Sequence, residues 1–105
     1  MIIRIVKMTF HPEKVNEFET IFNESKHLIR NMPGCSHLEL LNDVKDRNIY
    51  FTYSYWESEN DLNNYRKSDV FSKVWAKTKI LFIAKPEAWS VEHKAILELN
   101  SFTQL

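Results

Sequence analysis

Glycine, proline and cysteine are all scarce here: one, three and one residue respectively. With a single glycine there is no Gly-rich loop to cradle a phosphate, which argues against a nucleotide cofactor held that way. The lone Cys35 has no partner for a disulfide within the chain, which fits a reducing compartment. Its ordinary role is that of a small buried hydrophobe. Neither sign of charge is in excess, since fourteen basic residues face fourteen acidic ones. No basic stripe stands out, so nucleic acid is not an expected partner. Long hydrophobic runs are missing too. The apolar stretch Met1 to Phe10 contains Arg4 and Lys7, and is too short and too charged for a membrane span or a signal peptide. It reads as a strand, and the chain as cytoplasmic with no membrane partner.

What the sequence does have is apolar and aromatic content, 44% and 13%. That is enough for a packed core and speaks against disorder. The length suits one domain, residues 1–105, with no linker or repeat.

Periodicity then orders the elements. Ile2 to Phe10 is β-branched and apolar, a first strand. Pro12 suits the first turn of a helix running to about Asn31, with Phe18, Phe22, Ser25, Ile29 and Met32 on its inner stripe. Pro33-Gly34 ends it. A second strand spans about Cys35 to Leu41, and the polar run Asn42 to Asn48 is a hairpin loop. The third strand, Ile49 to Trp56, carries no charge on either face, unusual for an antiparallel strand with one wet side. Ser58 and Ser68 each cap a helix. The second of these has the inner stripe Phe71, Val74, Trp75, Thr78 and Phe82 and is ended by Pro86. From Trp89 to about Leu99 the residues alternate with period two, a long last strand.

The order β-α-β-β-α-β predicts an α+β, ferredoxin-like antiparallel sheet with its helices on one face. The other face would be bare in a single copy. Strand three, apolar on both sides, predicts that a second copy covers it, making a homodimer. The overlong last strand is expected to reach the partner.

No metal is expected. His11, His27, His37 and His93 are scattered, and the one Glu-x-x-His pair, Glu24 and His27, projects away from the apolar stripe. The aromatics carry more. Trp56, Tyr65, Phe71, Trp75 and Phe82 fall on faces turned between sheet and helices. Singly each is core filler; together they are able to line a flat pocket for a small aromatic molecule. Thr52, Ser54, His37 and the Tyr50 and Tyr65 hydroxyls are the polar groups nearby. Whether His37 or Leu38 faces inward depends on strand register.

The run Trp56-Glu-Ser-Glu-Asn-Asp-Leu62-Asn-Asn-Tyr65-Arg-Lys-Ser68-Asp-Val-Phe71 resembles the antibiotic biosynthesis monooxygenase (ABM) domain family. That family shows a Trp at a strand end, then an aliphatic residue, a His, a Ser and a Phe at this spacing. The stop at Pro33-Gly34-Cys35 is similar as well. The resemblance covers about residues 2–93, leaving about 94–105 as a C-terminal strand extension. It implies a dimeric α+β barrel and oxidation of a small aromatic, quinol-like compound by O₂ with no cofactor. A related branch binds haem. Here Tyr65 stands where many members have His, Trp75 matches the haem-ligating His, and Thr52 falls where some monooxygenases place Asn. Trp56 carries over from the family as a pocket wall; the pocket read from the residues adds Phe71, Trp75 and Ser54 to substrate binding and makes His37, Thr52 and Tyr65 the candidates for orienting the substrate or taking its proton. Two alternatives stand beside it: a non-catalytic dimeric module for a flat apolar ligand, haem included, and a stress or regulatory dimer with a closed core.

Overall fold

The computed structural model describes residues 1–97. Strand β1 (Ile2–Thr9) leads through a 3-10 turn at Pro12–Lys14 into helix α1 (Val15–Arg30). Strands β2 (Cys35–Asn42) and β3 (Ile49–Trp56) form a hairpin, helices α2 (Glu59–Arg66) and α3 (Asp69–Lys79) follow, and β4 (Glu87–Val91) closes the order. The sheet is antiparallel in the order β2-β3-β1-β4, with the helices on one face. Among the described residues no helix is long and apolar enough to cross a membrane.

Local chemistry explains the boundaries. Ser58 and Ser68 both accept from the backbone N–H three residues on, at Asp61 and Phe71, and so cap α2 and α3 as expected. Gly34 has φ +85°, and a Cβ there would lie 2.4 Å from the Asp61 side chain, so only glycine fits this turn.

Register decides the faces. Met8 pairs with Tyr50, Val6 with Thr52, Arg4 with Ser54 and Ile2 with Trp56, and all of these point toward the helices. The core divides in two there. One cluster joins Met8, Phe10, Phe18, Tyr50 and Leu81, and the other joins Cys35, Trp56 and Leu62. In the first, Phe10 stacks on Phe18 at 4.2 Å between ring centroids and meets Tyr50 edge-on.

Two boundaries differ from expectation. Helix α3 stops at Lys79, well short of Pro86. The chain after it turns back along the end of β1: Ile83 N–H donates to the Thr9 carbonyl, and His11 N–H to that of Leu81. Phe82 therefore enters the core through a bridge to Phe10, not from a helical stripe. The last strand stops at Val91 instead of about Leu99. Among the described residues its one neighbour is β1, Val91 pairs with Ile3, and β1 begins at Ile2, so β1 ends where the alternating residues beyond Val91 would need a partner. Residues 92–97 are irregular, and the remainder of the expected extension lies outside the described residues.

The sheet face away from the helices carries Ile3, Ile5, Phe51, Tyr53, Tyr55, Leu41, Trp89 and Val91, with Lys7, Glu39 and Glu87 among them. Trp89 and Val91 are exposed, and among the described residues no helix packs on this face; His93 meets Tyr55 edge-on at its end, where Ile3 is buried.

Candidate active site

Between the helices and the sheet lies a cavity of about 350 Å³. Its floor is the helix-facing row of the sheet, including Arg4, Val6, Leu38, Thr52, Ser54 and Trp56. Its roof comes from Phe18, Phe22 and Ile29 of α1, Leu62, Tyr65 and Arg66 of α2, and Phe71, Val74, Trp75 and Thr78 of α3. Helices α1 and α2 pack on β2 and β3, which leaves the β4 edge of the sheet less covered. Arg66, Glu87 and Ala88 are the exposed members of the lining, so the cavity opens between the end of α2 and the start of β4.

The aromatic walls are mutually braced. Trp56 stacks on Tyr65 at 4.9 Å and 19°, Tyr65 meets Phe71 edge-on, and Phe71 stacks on Trp75 at 5.7 Å and 12°. Trp56 is fully buried, and its indole N–H donates to Ser54 Oγ at 3.0 Å. Trp56 and Trp75 therefore bound the cavity without filling it.

The structure brings together Thr52, Ser54, Trp56, Tyr65, Phe71 and Trp75. It does not bring in His37. Cys35 pairs with Trp56 but His37 pairs with Tyr55, so Ser36 is an extra residue in β2. Such a bulge reverses the facing of everything beyond it. Cys35 points to the helices, while His37 points to the opposite face, where Nε2 meets the Glu39 carboxylate and the ring packs beside Tyr55. The expectation that His37 takes a substrate proton in this cavity is corrected accordingly.

The polar groups that remain act as donors. The Thr52 and Tyr65 hydroxyls have no side-chain partner among the described residues. Among the described residues no buried side-chain N or O atom is left without one, so both open onto the cavity. Ser54 Oγ is engaged by Trp56, and Thr78 Oγ1 donates to the Val74 carbonyl. Burial, with a smaller contribution from Cys35, pushes the Tyr65 phenol up to about 12. Near neutral pH it is a hydrogen-bond donor and not a base. Burial also pushes the Cys35 thiol up, so it is a poor nucleophile.

The Tyr65 shift fixes a pH dependence. Folded protein holds this proton more tightly than unfolded chain between the ordinary value near pH 10 and about pH 12. Its contribution is whole below that window and is lost as pH rises through it, at most about 1.4 kcal/mol per pH unit. Urea unfolding at about pH 9 and about pH 11 is expected to show a larger alkaline loss in wild type than in Tyr65→Phe. Equal losses would contradict the burial of this phenol.

Sequence reasoning missed the two arginines. Arg4 sits within an apolar strand whose inward side cannot be assigned without register. Arg66 looks like an ordinary basic residue closing a helix. The alternation Ile2, Arg4, Val6, Met8 was the available signal.

No curated protein matches the chain. Solved structures do. An antibiotic biosynthesis monooxygenase superposes with a TM-score of 0.85 at 16% identity, over 90% of this chain and 100% of that one. A conserved protein from Methanosarcina mazei Go1 gives 0.84 at 22% identity, over 90% and 94%. These likenesses establish the fold. The antibiotic biosynthesis monooxygenase family model matches residues 1–77, most of the chain and all of β1 to α2, including the Trp56 to Phe71 run. The chain belongs to the antibiotic biosynthesis monooxygenase family.

Proposed function

We propose that the cavity takes a flat phenolic or quinol-like molecule and lets O₂ oxidise it without metal or flavin, in a homodimer closed by the bare sheet faces. The observation that carries this reading is the cavity itself: stacked rings of Trp56, Tyr65, Phe71 and Trp75 around the unpartnered hydroxyls of Thr52 and Tyr65. Flat apolar walls with a few fixed donors suit an aromatic ligand.

The chemistry asks little of the protein. An ionised substrate passes an electron to O₂, the two radicals join at carbon as a hydroperoxide, and loss of water leaves a carbonyl. Overall a CH₂ group and O₂ give C=O and H₂O. The cavity excludes water and binds the substrate anion, with Thr52 and Tyr65 donating to its oxygen. Among the described lining residues there is no imidazole, and the one acidic residue, Glu87, turns its carboxylate to Lys7 on the opposite sheet face. The proton is therefore given up to water at the mouth as the anion binds, with no side chain needed as base. Trp75, at the position matching the haem-ligating His, offers no ligand to iron.

Oxygen uptake by metal-free protein with a panel of quinols and anthrones tests the reading. At least one is expected to be consumed faster than in buffer, and uniform background rates would overturn it. The missing base also favours a second reading, binding without turnover; compounds bound but not oxidised would establish that one instead.

A further inference from the structure

We propose that the ligand is an aromatic carboxylate, its charged group held between the guanidinium groups of Arg4 and Arg66 while its rings lie against Trp56 and Tyr65. This rests on the reading of the cavity as a site for a flat aromatic molecule and adds what selects among such molecules.

Both arginines line the cavity, and both belong to the end that opens to solvent. Arg4 is half-buried on the floor, and its Nη1 donates to Ser90 Oγ at 3.0 Å. That bond fixes the side chain and uses one of five donors, leaving the rest of the fork available. Arg66 is the last residue of α2 and stands at the rim. The two are near enough that the Arg66 charge, after burial, helps hold the Arg4 guanidinium below its ordinary value. Like charges held together without a counter-charge are unfavourable, and an anion between them removes the repulsion.

No protein group supplies that anion among the described residues. Neither arginine has a carboxylate within 4.0 Å. Glu87 lines the mouth, but its carboxylate lies 3.7 Å from Lys7, its strand partner, on the opposite sheet face. The elements facing the pair add no charge: β3 contributes Thr52, Ser54 and Trp56, and α3 contributes Phe71, Val74, Trp75 and Thr78. A planar carboxylate fits better than a single phenolate oxygen, because its two oxygens can serve two guanidinium forks at once. The positions of the groups then order the ligand, with the charge at the mouth and the rings inside.

The test compares naphthoate with its neutral amide, naphthamide, which share a two-ring body and differ in charge. Binding to the full-length protein is read by calorimetry and by quenching of tryptophan fluorescence. Naphthoate is expected to bind about tenfold or more tightly than naphthamide, with a preference that shrinks as salt rises. Arg66→Gln, at an exposed position, is expected to remove most of that preference, weakening naphthoate far more than naphthamide. Arg4→Gln should act likewise, and Arg4→Lys, which keeps the charge, should retain part of it. Equal affinity for both compounds, or a preference that survives both glutamine variants, would overturn the carboxylate site while leaving the aromatic cavity standing. Failure of both compounds to bind would overturn the cavity reading along with it.

Discussion

Replacing Trp56 with alanine should lower stability by about 3–5 kcal/mol, the range for a large aromatic lost from a core. Trp56 is 1% exposed and ends β3 between Cys35, Leu62 and the Tyr65 ring. It is also the hinge between core and cavity. The void left by an alanine would join the existing cavity, so the neighbours have little reason to collapse into it. Tyr65 would lose its stacking partner, and Ser54 Oγ the indole N–H it accepts. Against a total of about 5–15 kcal/mol for a domain, such a loss brings the protein close to unfolding at ambient temperature. Trp56→Phe keeps most of the apolar volume and should cost about 1–2 kcal/mol. Urea denaturation of the two variants beside wild type checks this. A loss below about 1 kcal/mol for the alanine variant would mean that Trp56 does not organise this end of the core.

The second large effect concerns association. Ile5→Glu should convert a dimer into single chains. Ile5 lies near the middle of the bare face, paired with Tyr53 on one side and Trp89 on the other. A face-to-face sheet dimer would bury about 1,200 Å² or more and place two symmetric copies of this position in its interior. A glutamate there would be desolvated at a cost of several kcal/mol in each copy, and Lys7, the nearest cation on the face, is already paired with Glu87. In a single chain the same glutamate faces water, so the fold itself should survive. Light scattering at micromolar concentration should give the mass of two chains for wild type and of one for the variant. A wild-type monomer, or a variant that stays dimeric, would contradict the proposed interface.

Which parts of this were legible follows from what a sequence pattern encodes. Helix α1 and strand β3 were readable because 3.6-residue and two-residue periods are local. The serine caps were readable because capping is local chemistry too. The cavity's aromatic walls followed from both, since Trp56 and its face-mates Thr52 and Ser54 are set by alternation alone. What failed depends on a partner elsewhere in the chain. The alternation from Trp89 onward states which residues would share a face if paired, not whether β1 extends far enough to pair them. The end of α3 is set by the bridge from Phe82 to Phe10, more than seventy residues apart. His37 is the sharpest case. In a regular strand it would share a face with buried Cys35, and one bulged residue, Ser36, sends it to the other side. The same dependence on register hid Arg4, which only its pairing with Ser54 and Ser90 turns toward the cavity.

Oxygen uptake by metal-free wild type, measured beside Val74→Trp, tests most directly whether the chemistry belongs to this cavity. Val74 lines the roof between Phe71 and Trp75, and an indole there would occupy the space meant for substrate while leaving the sheet untouched. With a quinol or anthrone that wild type consumes, the variant should fall to the buffer rate with its circular dichroism unchanged. Uptake by wild type no faster than buffer, or a folded Val74→Trp protein that turns over like wild type, would contradict an oxidation carried out between these helices and this sheet.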